Sequence, residues 1–206
     1  MDEELEKLRQ EFIRTTNVNI ADSEEYLKQR EALEKYYNED NVCSLRKELF
    51  GDYELIVKSY RMPGDGWNFA KGLVFQKKKN PGHKDDYELL FIIERNYSEF
   101  WQCWVKHSNG NTYLLCGEDY QGYVVLNLTK RTKHVYYPQG ALKGIGFCWA
   151  QVEYDEELNQ LEVTGCYWGA PYEVVIYDFS NPEELPLKEI SREYEYEEYN
   201  EEDENE

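Results

Sequence analysis

The sequence predicts a mainly β protein: antiparallel β meanders, arranged as a blade-like set, a sandwich or an incomplete propeller, preceded by an N-terminal α-helical hairpin. Three observations predict it. Hydropathy switches from a helical period to a period of two at about Tyr53. From there to Ile190, short runs rich in Val, Ile, Leu and Tyr are punctuated by Gly, Pro, Asn and Asp. Two stretches of that region also repeat one another at an offset of 45 to 51 residues.

Taken in order, Leu5, Leu8 and Phe12 lie at helical spacing among charges and predict an amphipathic helix over Asp2–Thr16. The segment Asn17–Ala21 breaks it. Asp22 with Glu25 resembles a capping box that opens a second helix to about Asn38. The hairpin is expected to cover an end or edge of the β body, because open sheet edges invite pairing with other chains. Strands are then predicted at Tyr53–Tyr60, Gly72–Gln76, Tyr87–Arg95, Phe100–Lys106, Thr112–Cys116, Tyr123–Leu128 and Thr132–Tyr136. Three more follow at Phe147–Tyr154, Gln160–Cys166 and Tyr172–Asp178. Pro63-Gly64-Asp65-Gly66, Asn80-Pro81-Gly82 and the acidic Asp155–Asn159 supply turns between them. Leu185-Pro186-Leu187 is read as a last edge segment.

The repeat aligns Cys103-Trp104 with Cys148-Trp149 and Gly117 with Gly165, each followed by an apolar strand. A closed propeller needs more chain than Asp52–Ile190 supplies, so a compact body of meanders is expected. The chain divides into a hairpin over residues 1–41, an all-β domain over 42–190 and an acidic tail over 191–206. The tail holds nine acids against one arginine and is expected to be disordered, having too little apolar area to offset its ordering entropy. The phrases GEDYQG (117–122), GFCWA (146–150) and GCYWGAPYEVVIYDFSNP (165–182) resemble an uncharacterised family of bacterial proteins in which they recur in this order. The resemblance covers roughly Thr112–Ile190; it implies a shared fold and a shared surface and carries over no catalytic role.

Composition excludes several classes. The net charge of -19 disfavours nucleic acid and anionic membranes as partners. The odd count of five cysteines, without close pairs, and an acidic, non-apolar start predict reduced thiols and a cytoplasmic protein. No metal and no cofactor are predicted: Cys103, Cys116, Cys148 and Cys166 are spaced by 13, 32 and 18, with no close ligand pair, and no phosphate-binding glycine motif occurs.

What remains is a rim of loops. Glu118, Asp119, Tyr120, Trp149, Tyr167, Trp168, Tyr172 and Glu173 combine rings, which supply contact area, with carboxylates, which orient a cationic or hydroxyl-bearing group. No residue is assigned a catalytic role. The expected function is non-enzymatic, intracellular recognition of a protein or small ligand through these aromatic and acidic loops. One alternative is a hydrolase that uses Glu118, Asp119 or Glu173 as acid or base with Cys166 nearby. The other is a nucleotide or nucleic-acid binder working through the basic turns Lys77–Lys79 with His83-Lys84, and Lys130-Arg131 with Lys133-His134.

Overall fold

A computed structural model describes residues 3–64, 66–78, 86–167 and 169–194. Two α-helices, α1 (Glu3–Thr16) and α2 (Glu24–Leu33), precede twelve strands. These are β1 (Val42–Phe50), β2 (Tyr53–Tyr60), β3 (Phe69–Lys77), β4 (Tyr87–Arg95), β5 (Gln102–Lys106), β6 (Thr112–Glu118), β7 (Gly122–Asn127) and β8 (Thr132–Tyr136). The last four are β9 (Phe147–Asp155), β10 (Gln160–Tyr167), β11 (Glu173–Asp178) and β12 (Lys188–Tyr194). They form three four-stranded sheets, β1–β4, β5–β8 and β9–β12, in each of which every strand pairs antiparallel with its neighbour in sequence. The mainly β class, the meanders and the N-terminal helices are therefore as the sequence predicts.

The middle sheet is covered on both faces, and the pleat decides which side chain goes where. Leu114, Cys116, Val124 and Leu126 join Leu55, Val57, Val74 and Ile93 of the first sheet in one core. Tyr113, Leu115, Tyr123 and Val125 join Trp149, Leu161, Val163, Val175 and Tyr177 of the third sheet in another. Successive residues of a strand point to opposite faces, so a strand buried on both sides must be apolar throughout. That is why Tyr113–Cys116 and Tyr123–Leu126 read as unbroken apolar runs. The repeat seen in the sequence is the correspondence of the second and third sheets: Cys103 and Cys148 lie on their first strands, Gly117 and Gly165 on their second.

Several boundaries differ from expectation. Ser23, not Asp22, caps α2, its hydroxyl accepting the Tyr26 N–H at 3.2 Å. The α-helix stops at Leu33 and continues only as a 3-10 turn, Glu34–Tyr36. Strand β1 was not expected at all: it carries Arg46, Lys47 and Glu48 mid-strand and is exposed over much of its length, which hides the alternation. Strand β12 carries the ordered sheet past the expected boundary at Ser191 as far as Tyr194; the rest of the acidic tail lies outside the described residues.

The two helices pack on different parts of the body. In α1, Phe12 meets Tyr167 edge-on at 6.0 Å, and Thr16 lies against Gly140 of the β8–β9 connection. The linker is fixed by Asn19, whose side chain donates to Val135 O at 2.9 Å and accepts the N–H of Tyr137 at 3.1 Å. In α2, Tyr26 stacks on Tyr137 at 4.1 Å.

Leu126→Ala is expected to cost about 2–5 kcal/mol, since the middle sheet has no room to collapse into the vacated volume. Leu45→Ala on the exposed face of β1 should stay within about 0.5 kcal/mol. Urea unfolding of the two variants beside the parent protein checks the contrast.

Candidate functional site

Because every sheet is a meander, the connections after even-numbered strands gather at one end of the molecule. The β6–β7 turn is the tightest of them. Glu118 pairs with Gly122, which leaves Asp119, Tyr120 and Gln121 to reverse the chain, with Asp119 in the left-handed region at φ 52°. Gly122 must be glycine: a Cβ there would lie 2.7 Å from both Glu118 O and Tyr136 O.

Arg95, at the end of β4, locks this turn to the first sheet. Its side chain is only 2% exposed and donates to Asp119 O at 2.6 Å and to Glu99 O at 2.5 Å. A Cβ on Gly117 would fall on the guanidinium, 2.6 Å from Cζ, so the glycine makes room for the arginine. Burial lowers the Arg95 pKa from the usual arginine value.

The turn then sends its side chains in two directions. Glu118 and Asp119, 2% and 1% exposed, point into a buried ion cluster. Arg30 of α2 meets Glu118 at 2.7 Å, Glu94 of β4 at 2.8 Å and Asp119 at 3.6 Å. Lys71 of β3 pairs with Glu94 at 2.9 Å, and Lys133 of β8 with Glu118 at 3.3 Å. Three carboxylates thus face three cations drawn from α2, β3 and β8. Burial pushes Asp119 up to about 6; Arg30 opposes the shift and Glu118 adds to it. Of the three carboxylates expected on the loop rim, Glu118 and Asp119 are thus inside, paired with Arg30 of α2.

Tyr120 and Gln121 go the other way. Tyr120 packs on Tyr97 at 4.7 Å and on Trp67 at 6.1 Å, and Trp67 meets Tyr97 edge-on at 5.3 Å. Trp67 is 56% exposed, an unusual position for the largest side chain. Beside this wall opens a cavity of about 320 Å³ lined by Gln29, Trp67, Asn96, Tyr120, Gln121 and Tyr137, with Ala141 and Gly144 completing it. No lining side chain carries a charge. Gln121 is 5% exposed; its Oε1 accepts the Gly146 N–H at 3.1 Å and its side chain lies beside the Cys148 thiol, while its buried Nε2 has no nitrogen or oxygen partner among the described residues. The buried Oδ1 of Asn96 likewise has no partner among the described residues.

The remaining expected site residues lie elsewhere. Trp149 is buried between sheets, stacked on Tyr123 at 4.2 Å and on Trp101 at 5.7 Å. Glu173 is buried in an ion pair with Arg192 of β12, which also meets Glu189 at 2.7 Å. Tyr167 packs against Phe147 at 5.2 Å, with the Arg192 guanidinium 5.8 Å from its ring. Tyr172 is 48% exposed, and its phenol is raised chiefly by the neighbouring Cys166. Trp168 lies outside the described residues. Among the described residues of the expected rim, only Tyr120 lines the cavity. Gln29, Trp67, Asn96, Gln121 and Tyr137 were not singled out from sequence. Trp67 follows a Pro-Gly turn, where a large ring has little core to fill, and that was the available sign.

The basic turns lie at the other ends of the strands, although Lys133 reaches back to Glu118 in the ion cluster. Lys78 pairs with Asp86 at 2.7 Å; Lys79, His83 and Lys84 lie outside the described residues. Arg131 pairs with Glu88 at 3.0 Å and Lys130 with Glu183 at 3.2 Å, while His134 lies 3.5 Å from Glu183. Among the described residues no cluster of three or more His, Cys, Asp or Glu could hold a metal ion, and no helix is long and apolar enough to cross a membrane.

No family model matches the chain. It is similar to the uncharacterized protein R762 of Acanthamoeba polyphaga mimivirus, at 31% identity over 151 residues. The similarity covers 71% of this chain and 56% of the viral protein, so the chain spans little more than half the length of that relative.

Asp119→Asn is expected to change the pH dependence of stability. With its folded pKa raised to about 6 from 3.8, Asp119 holds a proton in the folded state that the unfolded chain has given up, so its share of stability is lost as pH rises from about 4 to about 6. The stability of the Asn variant minus that of the parent should therefore grow across this window, by on the order of 3 kcal/mol, and level off above it. Denaturant titrations at a series of pH values check the sign.

Proposed function

We propose that the protein is a non-enzymatic binding protein. Its ligand is small and uncharged, with a flat face for Trp67 and Tyr120 and an edge that both donates and accepts a hydrogen bond. One observation carries the reading: Trp67 and Tyr120 wall an uncharged cavity whose lining also includes Asn96 and Gln121, each with one buried amide atom unpartnered among the described residues. An unmade hydrogen bond at a buried polar group costs about 1–3 kcal/mol, so a ligand toward which either amide turns recovers part of that cost as affinity. The cavity of about 320 Å³ is at the lower end of small-molecule sites. Its lack of charge favours a neutral ligand over an ionic one.

Further observations support the same reading. The sequence phrases that resemble uncharacterised bacterial proteins meet here, since Gln121 of the first accepts the N–H of Gly146 in the second. We propose membership of that bacterial group on these grounds. Against acid or base chemistry, Glu118 and Asp119 are engaged by Arg30 rather than presented to the cavity. Against nucleic acid stand the acidic net charge and the carboxylate partners of Lys130 and Arg131. Five free cysteines suit a reducing, cytoplasmic setting, which belongs to the same proposal.

The test is to follow the Trp67 indole resonance by NMR while adding nucleosides, nicotinamide and neutral sugars one at a time. At least one is expected to shift it; followed through the Tyr120 backbone amide instead, Trp67→Ala or Gln121→Leu should weaken that binding tenfold or more, about 1.4 kcal/mol. Binding that both variants leave unchanged, or no shift from any of these probes, overturns the proposal.

A further inference from the structure

We propose that Cys148 and Cys166 are a redox-active pair that closes to a reversible cross-strand disulfide, with a small disulfide such as oxidised glutathione as the oxidant. The two residues are register partners in β9 and β10, flanked by the pairs Phe147–Tyr167 and Trp149–Gly165. Directly opposed residues of an antiparallel pair share a face, with Cα atoms roughly 4.5–5.5 Å apart. That falls inside the Cα separation of about 4.4–6.8 Å that a disulfide spans. The flanking pair shows that partners here do meet: the rings of Phe147 and Tyr167, on the other face, are 5.2 Å apart. Gly165 lets the strands close up beside the thiols, because a Cβ on it would run into the carbonyl oxygen of Cys148.

The other thiols do not share this arrangement. Cys103 and Cys116 are buried in separate cores, and burial pushes Cys103 up to about 11. Cys43 is exposed on β1, paired with no other cysteine in the register of its sheet. Within the proposed pair the exposures differ and assign the order of events. Cys166 is partly exposed and meets the oxidant; Cys148 is 7% exposed and resolves the intermediate.

The chemistry balances as follows. Cys166 loses its thiol proton to solvent, and its thiolate attacks one sulfur of oxidised glutathione. The S–S bond of the oxidant breaks, expelling one glutathione thiolate. Cys148, deprotonated in turn, attacks Cys166 Sγ; the mixed disulfide breaks and expels the second. Two thiols give up two protons and two electrons, and one small disulfide becomes two small thiols. Burial and the Glu173 carboxylate raise the Cys166 thiol, so the first attack is slow at neutral pH and quickens as pH rises. The side chains of Tyr120 and Gln121 lie beside the Cys148 thiol, which places the pair directly behind the cavity wall. The pairing itself does not depend on what the cavity binds.

The experiment uses the reduced full chain with excess oxidised glutathione at alkaline pH. Acid quenching, alkylation of remaining thiols in denaturant and peptide mapping follow. The expected product links the Cys148 and Cys166 peptides with the loss of two hydrogen atoms, while Cys43 carries glutathione, and dithiothreitol restores both thiols. In Cys148→Ser, glutathione is expected to stay on Cys166, its release slowed at least tenfold relative to the parent. Glutathione that persists on Cys166 in the parent protein overturns the proposal. So does recovery of Cys148 and Cys166 as free thiols after Cys43 has reacted fully. Both overturning readouts come from the parent chain and do not depend on the variant's folding.

Discussion

The fold depends on one constraint: the middle sheet has no face to spare for water. With side chains of β6 and β7 buried on both sides, the first and third sheets are obligatory covers, and each must match one parity of the same two strands. Polar groups are thereby pushed to the strand ends. It is there, where β6 turns into β7, that the molecule concentrates its buried charge, its exposed rings and its unpartnered amides.

The ion cluster at that turn shows how an acidic protein uses acids as fasteners. Glu94 and Glu118 come from different sheets, and neither could be buried alone at acceptable cost. Arg30 of α2 answers both, so the helix is attached by charge where it has little apolar surface to offer. Such clusters contribute less to net stability than to fixing one arrangement, because desolvation offsets most of the attraction. Arg95 works differently. Among the described residues no carboxylate lies within hydrogen-bonding distance of it; it is held by two carbonyl oxygens, and it positions the turn backbone rather than balancing charge.

The sheets were legible because alternation and turn chemistry are local. Tyr53–Tyr60, Tyr87–Arg95 and Thr132–Tyr136 were read to the residue. Strand β1 was not, because its inward side is largely polar. Arg46 donates to Phe100 O at 2.6 Å, and Glu48 accepts from Gln102 at 2.6 Å and from Trp104 at 2.5 Å, so the strand meets β5 of the second sheet mostly through hydrogen bonds to charged groups rather than through apolar periodicity. The site was less legible still. Glu118 and Asp119 look like turn acids, and only the arrival of Arg30, 88 residues earlier in the chain than Glu118, makes them interior groups. Asn96 and Gln121 are unremarkable polar residues until the folded chain leaves one atom of each without a partner.

The sequential order of the sheets also bears on synthesis from the N-terminus. Each meander needs only contacts near in sequence and can zip as soon as it emerges, a low-contact-order route. The middle sheet, however, is complete before the chain that shields Tyr113, Leu115, Tyr123 and Val125 has left the ribosome. For that interval the nascent chain displays an uncovered apolar plane, the kind of surface that draws chaperones or another nascent chain.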